Sequence, residues 1–312
     1  MRVFALIALI AAASAARAGD NDIQLFRLGN PDDIVVCRTV CDGSDREIRN
    51  GAPEAQTRFA RFTAALGLAF VPALFEPAGT TGQSGIEIGF SGSVPFLRIG
   101  DAEWATAGTQ AAARAPRALF LPTVSIRKGL GGSVELGVHA SYLAGSQMVA
   151  TGGELRWAFV EGLEMAPDLA VRAYVTRVLG TQELDLLVGG FDVGISKGFG
   201  VGGMMQLQPY FQYGLAFVNA TTGVIDFEPA REDAKDPTAD DGVFRSLSFF
   251  KNRYHRFVLG LRLVAGVAVV GLEGSHAFGS NAVQSDPLTS GAAPPSQTTK
   301  MWSAAGRLGF SF

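Results

Sequence analysis

Apolar residues recur at every second position over stretches of roughly ten residues from Phe59 onward, each stretch ending at a turn. A period of two is that of a β-strand whose two faces meet different surroundings. In 206–218, Leu207, Phe211, Tyr213, Leu215 and Phe217 share one face, while Gln206, Gln208, Tyr210, Gln212 and Gly214 share the other. The same reading predicts strands at 62–70, 86–90, 118–126, 134–142, 153–159, 169–175, 184–195, 257–263 and 268–272. In 184–195 the apolar face changes between Val188 and Phe191, and a β-bulge at Gly189-Gly190 would absorb the extra residue. Pro122 and Pro209 cannot donate to a closed ladder, so they are expected at bulges or rims.

The N-terminus follows another pattern. Arg2, an apolar run over 3–13 and small residues ending in Ala16-Arg17-Ala18 have the order of a secretory signal peptide, with cleavage expected after Ala18. The run is shorter than the ~20 residues that a helix needs to cross hydrocarbon, and no later run approaches that length. The expected organisation is a signal peptide over 1–18, an N-terminal segment over 19–58 and a β-domain over 59–312. Thirty-nine glycines and a charged fraction of 18% suit strands and turns. The formal charge of −3 becomes more negative once Arg2 and Arg17 leave with the signal, which excludes a nucleic-acid partner.

Charge then separates the two faces. Setting the bulky apolar residues outward puts Arg61, Glu87, Arg127, Glu135, Glu154, Arg156, Arg172, Asp192, Arg262 and Arg307 inward as candidate lumen-lining residues. His139, Asp168, Asp185, Arg256 and Glu273 fall on the same face. A soluble sandwich would reverse these faces, and alternation alone does not distinguish the two cases. The C-terminus does. Trp302, Ala304, Gly306, Leu308, Phe310 and Phe312 alternate with Ser303, Arg307, Gly309 and Ser311 up to the last residue.

This ending resembles the closing strand of bacterial outer-membrane β-barrel proteins, a terminal aromatic preceded by apolar residues at alternate positions. The resemblance implies an all-β, transmembrane, antiparallel up-and-down barrel in the outer membrane of a Gram-negative-type cell, surrounded by outer-membrane lipid. It also implies that Trp302, Leu308, Phe310 and Phe312 form the signal engaged by the barrel-assembly machinery. Long connections at 98–117, 219–253 and 278–300 are expected outside the cell, with short ones at 129–132 and 161–167 on the periplasmic side. Eleven segments are visible and an even number is required. Twelve strands are therefore expected, the missing first one somewhere in 23–40, where 34–40 is the only β-like run; ten is the alternative.

The inward face is balanced between arginines and acids, so it either pairs across neighbouring strands or lines a narrow polar path. The expected function is a porin-like or passive transport channel for small solutes of unidentified kind. The alternative is a closed barrel with an anchoring or binding role. A third possibility is a lipid hydrolase, because His139-Ala140-Ser141 is similar in spacing to the H-x-S of outer-membrane phospholipase A. There the pair continues into Asn-Gly and faces lipid; here Tyr142-Leu143 follow and the pair is expected inward. No residue is assigned as catalytic, and the chain is read as not an enzyme. The Gly198–Gly202 run opens no helix and is read as a turn. Loop 226–242 is acidic but lacks the ordered ligand spacing of a Ca²⁺ loop. Cys37 and Cys41 are expected to form a local disulfide after export, and the three histidines lie too far along the chain to complete a metal set with them. No cofactor or metal is expected.

Overall fold

The computed structural model describes residues 19–31, 34–37, 46–49, 54–73, 77–112, 114–229, 241–281 and 297–312. Ten long strands form one closed antiparallel wall: β1 Ile86–Phe96, β2 Leu121–Leu130, β3 Val134–Tyr142, β4 Val149–Val160, β5 Asp168–Leu179, β6 Leu184–Ser196, β7 Met205–Thr222, β8 Arg253–Ala265, β9 Ala268–Asn281 and β10 Gln297–Ser311. Each pairs with the next, and β10 pairs with β1 from Trp302 opposite Phe96 to Ser311 opposite Glu87. Phe312 extends this seam by exchanging backbone hydrogen bonds with Ile86 at 2.8 and 2.9 Å. A short strand, Phe199–Val201, pairs with the start of β7 outside the circuit. The wall therefore has ten strands, the smaller of the two expected numbers. The run expected as a first strand instead has Ile34–Cys37 paired with Arg46–Arg49 in a separate hairpin.

The barrel begins at Ile86 rather than Phe59, because the segment read as a strand at 62–70 lies in a helix, α1, Ala55–Ala69. Phe62, Leu66 and Phe70 satisfy both periods, being four apart as well as an even number apart. Alanine at 55, 60, 64, 65 and 69 favours the helix. From Phe59 to Phe70 only Arg61 escapes full burial, so no polar face was available to reveal the helical period. Among the described residues no helix is long and apolar enough to cross a membrane; the strands form the spanning wall.

The wall is apolar outside. Phe90, Leu136, Val138, Leu155, Trp157, Phe191, Leu259, Leu272, Trp302, Leu308, Phe310 and Phe312 are among its exposed side chains. With charge inside and this surface outside, lipid is the medium that suits the fold, and closure leaves no unpaired sheet edge in it. The described parts of the long connections after β1 and β7, 97–112, 114–120, 223–229 and 241–252, lie at one end together with Asn281 and Gln297; Ile86, Phe312 and the turns 131–133, 161–167 and 266–267 lie at the other. By the usual asymmetry of such barrels the first end faces the exterior and the second the periplasm.

A plugged lumen as the candidate functional site

Three described segments before β1, 19–31, 54–73 and 77–85, follow one another from the outer mouth of the barrel to the inner. At the outer mouth, Asn21 N–H donates to Gly145 O at 2.8 Å, Asn21 Nδ2 to Ala144 O at 2.7 Å and Gln147 N–H to Asp22 Oδ1 at 2.7 Å. Arg27 Nη1 donates to Thr106 O at 2.6 Å, and Leu25 N–H donates to Glu183 Oε2 at 2.6 Å. These contacts bind residues 19–31 to the connections β1–β2, β3–β4 and β5–β6. A cleft of about 390 Å³ opens between them, lined by Asp22, Gln147, Thr181 and Glu183 among others. Burial pushes the Glu183 carboxyl above the ordinary carboxylate value of 4.5, and the Leu25 hydrogen bond opposes that shift.

Helix α1 fills the outer half of the lumen. Phe59 stacks on Phe244 with ring centroids 4.6 Å apart, and Phe62 meets Trp104 edge-on at 5.0 Å. Gln56 exchanges hydrogen bonds with the backbone of Arg245 at 2.9 and 3.1 Å, fixing the top of the helix to the β7–β8 connection. Around it the inner wall is apolar: Leu184, Leu186, Val188, Ala216, Val218 and Met301 join one buried cluster with the helix. A Cβ on Gly67 would lie 2.7 Å from a methyl of Val218, so glycine is what lets α1 approach β7.

This explains the apparent change of face in β6. Its pairing with both neighbours runs without a register shift through Gly189-Gly190, so no bulge is present there. Even-numbered residues face inward throughout; in the outer half they are Leu184, Leu186 and Val188 against α1, and further down Asp192 joins the charged layer. The observed irregularity is in β4, between Ala158 and Val160. Asp185, expected inward, faces outward and pairs with Arg177 at 3.0 Å.

The inner half of the lumen is closed by charge. Glu87, fully buried, meets Arg127 at 2.5 Å, Arg307 at 2.8 Å and also Arg262. Arg156 meets Glu135 at 2.5 Å and donates to Pro77 O at 2.6 Å. Arg172 bridges Glu154 at 2.9 Å and Asp192 at 2.5 Å, with its guanidinium over the Tyr174 ring. Arg256 meets Glu273 at 3.2 Å, and the Tyr210 hydroxyl donates to Glu273 at 3.0 Å. The descending segment 77–85 is stitched to the wall here: Ala78 N–H donates to Ser196 Oγ at 2.8 Å, Thr81 N–H to Glu135 Oε2 at 2.9 Å and Thr80 to Glu161. Between helix and charges, a cavity of about 20 Å³ lined by Arg256, Ser275 and Ser303 has room for one water.

Nine of the ten lumen candidates, Glu87, Arg127, Glu135, Glu154, Arg156, Arg172, Asp192, Arg262 and Arg307, lie in this layer. The tenth, Arg61, belongs to α1 rather than to a strand and pairs with Glu103 at the outer mouth. Trp302, Leu308, Phe310 and Phe312 project from the outer face of β10. The expected bridge between Cys37 and Cys41 falls outside the described residues. His139 and Ser141 take partners on different strands: His139 Nε2 lies 3.0 Å from Thr176 Oγ1, and Ser141 Oγ 2.8 Å from Thr123 Oγ1. Among the described residues no group of His, Cys, Asp or Glu is arranged to hold a metal. What sequence reasoning missed is α1. Its one signal was the alanine content of 55–69.

No protein-family model matches the chain, and no curated protein matches it. Solved structures similar to it include Ail, the attachment invasion locus protein of Yersinia pestis, at 10% identity over 74% of this chain and 99% of that one, TM-score 0.25. Others are the outer membrane protein OprG from Pseudomonas aeruginosa, at 9% over 76% and 99%, TM-score 0.31, and the outer membrane protease OmpT from Escherichia coli, at 10% over 73% and 95%, TM-score 0.33. Likenesses at these TM-scores carry nothing about role.

Proposed function

We propose that this bacterial outer-membrane β-barrel protein works with its lumen closed, as an anchor that presents its N-terminal segment and outer loops for binding at the cell surface. The observation that supports this reading is the filling of the lumen along its length. Helix α1 closes the outer half with apolar contacts, the arginine–carboxylate layer closes the inner half, and the cavity between them is only about 20 Å³. A solute would have to displace a helix whose Phe59, Phe62, Ala64 and Leu66 are almost wholly buried. Removing a packed aromatic side chain alone costs about 3–5 kcal/mol, which sets the scale of that obstacle.

The porin-like reading requires α1 to leave the lumen. Single-channel recording of the refolded chain in a planar bilayer separates the two. Silence from a barrel shown to be folded by heat-modifiable gel mobility is the expected result. Discrete steps carried by the unmodified protein would overturn the closed reading and make the charged layer a selectivity filter for small solutes.

A further inference from the structure

We infer that the outer rim of β8, β9 and β10 binds the phosphate of an outer-leaflet lipid headgroup. Two adjacent rows of the barrel exterior carry the site. Arg253, Ser280 and Thr298 lie opposite one another across the three strands, and so, one step toward the membrane, do His255, Phe278 and Lys300. Below them comes an aromatic row crossing four seams, Tyr213, Phe257, His276, Trp302 and Phe96. Its rings are in contact: Tyr213 and Phe257 have centroids 5.1 Å apart, and His276 and Trp302 4.2 Å. Aromatic girdles sit at the level of lipid headgroups, so the two rows above this one lie where the headgroups are.

The charge on this patch is one-sided. The acids of β1, β8, β9 and β10 are Glu87 and Glu273, both buried in the lumen. Arg253 and Lys300 are exposed, as is Arg98 just beyond Phe96. On the other wall strands the outward-facing cations are engaged: Arg177 pairs with Asp185, and Lys128 at the periplasmic end donates to Ser84 O at 2.8 Å. Strands are spaced about 4.8 Å apart, so Arg253 and Lys300 start roughly 10 Å apart laterally and their long side chains can converge over β9. There the hydroxyls of Ser280 and Thr298 add short donors, an arrangement suited to a phosphate with several acceptor oxygens. His255, anchored by the Tyr213 hydroxyl at 2.7 Å and stacked on Phe278, walls the side toward the bilayer. Acyl chains of the same lipid would lie on Phe257, Leu259 and Leu272. This site does not depend on whether the lumen is closed.

The test uses the mature chain in detergent and native mass spectrometry, with phosphatidic acid and phosphatidylcholine as probes and inorganic phosphate as competitor. One phosphatidic acid should be retained in preference to phosphatidylcholine. Retention should weaken about thirtyfold in Arg253→Ala/Lys300→Ala, the equivalent of about 1 kcal/mol for each cation removed. Lys300→Arg should keep it and Lys128→Ala should leave it unchanged, each variant being checked for folding by heat-modifiable mobility. Equal retention in the double variant, or no preference between the two lipids, would overturn the site. Displacement of the lipid by equimolar inorganic phosphate would overturn the lipid as its source.

Discussion

Replacing Glu87 by glutamine tests the charged layer at its centre. The side chain is fully buried, and its two oxygens serve three guanidinium groups, Arg127, Arg307 and Arg262. Glutamine keeps the shape but removes the charge, and its amide turns a donor toward an arginine that is itself only a donor. Buried pairs are poor evidence of net stabilisation, because desolvation offsets attraction, yet breaking one leaves a charge uncompensated at a cost of about 3–5 kcal/mol. Against a typical total of about 5–15 kcal/mol, that is a large loss. Urea unfolding of the barrel in lipid vesicles, followed by tryptophan fluorescence, should therefore place Glu87→Gln about 3 kcal/mol or more below the parent. Glu87→Gln combined with Arg262→Gln should be less destabilised than the sum of the two single changes, since the second removes a cation the first stranded. A loss under about 1 kcal/mol for Glu87→Gln, or simple additivity in the double variant, would refute the idea that this layer is held by mutual neutralisation.

Gly67→Leu should drive a side chain into Val218, cost about 1–3 kcal/mol in overpacking and loosen α1; discrete conductance steps in this variant, absent from the parent, are the readout. An epitope placed at Gly19 should be reached by antibody on intact cells, whereas one in the turn 161–167 should be reached only after the outer membrane is permeabilised. The raised Glu183 carboxyl predicts a pH effect at the outer mouth. Its contribution to stability is fully present below the ordinary carboxylate value of 4.5 and is lost as pH rises through the raised one. Glu183→Gln keeps an acceptor for Leu25 N–H and should flatten that part of the pH dependence of the urea midpoint. An unchanged profile would show that the carboxyl does not titrate in the docked segment.

The alternation of Leu207 to Phe217 was enough to predict strands with two unlike faces, and the resemblance of Trp302 to Phe312 to the closing strand of outer-membrane barrels implied that lipid meets one of them. The same local rule placed nine of the candidate charges on the inner face, while Asp185, near the outer end of its strand, faces outward with Arg177. Where inference from sequence stopped was the content of the lumen. Phe62, Leu66 and Phe70 fit a strand period as well as a helix period, and what distinguishes the two is that α1 is surrounded by wall on every side. Leu184, Leu186 and Val188 looked like a slipped face for the same reason: they are apolar and inward because α1 lies against them. Whether an inward position meets water, a charge or a helix depends on residues more than a hundred positions away. The period of the chain decided the wall, and only the tertiary structure decided what the wall encloses.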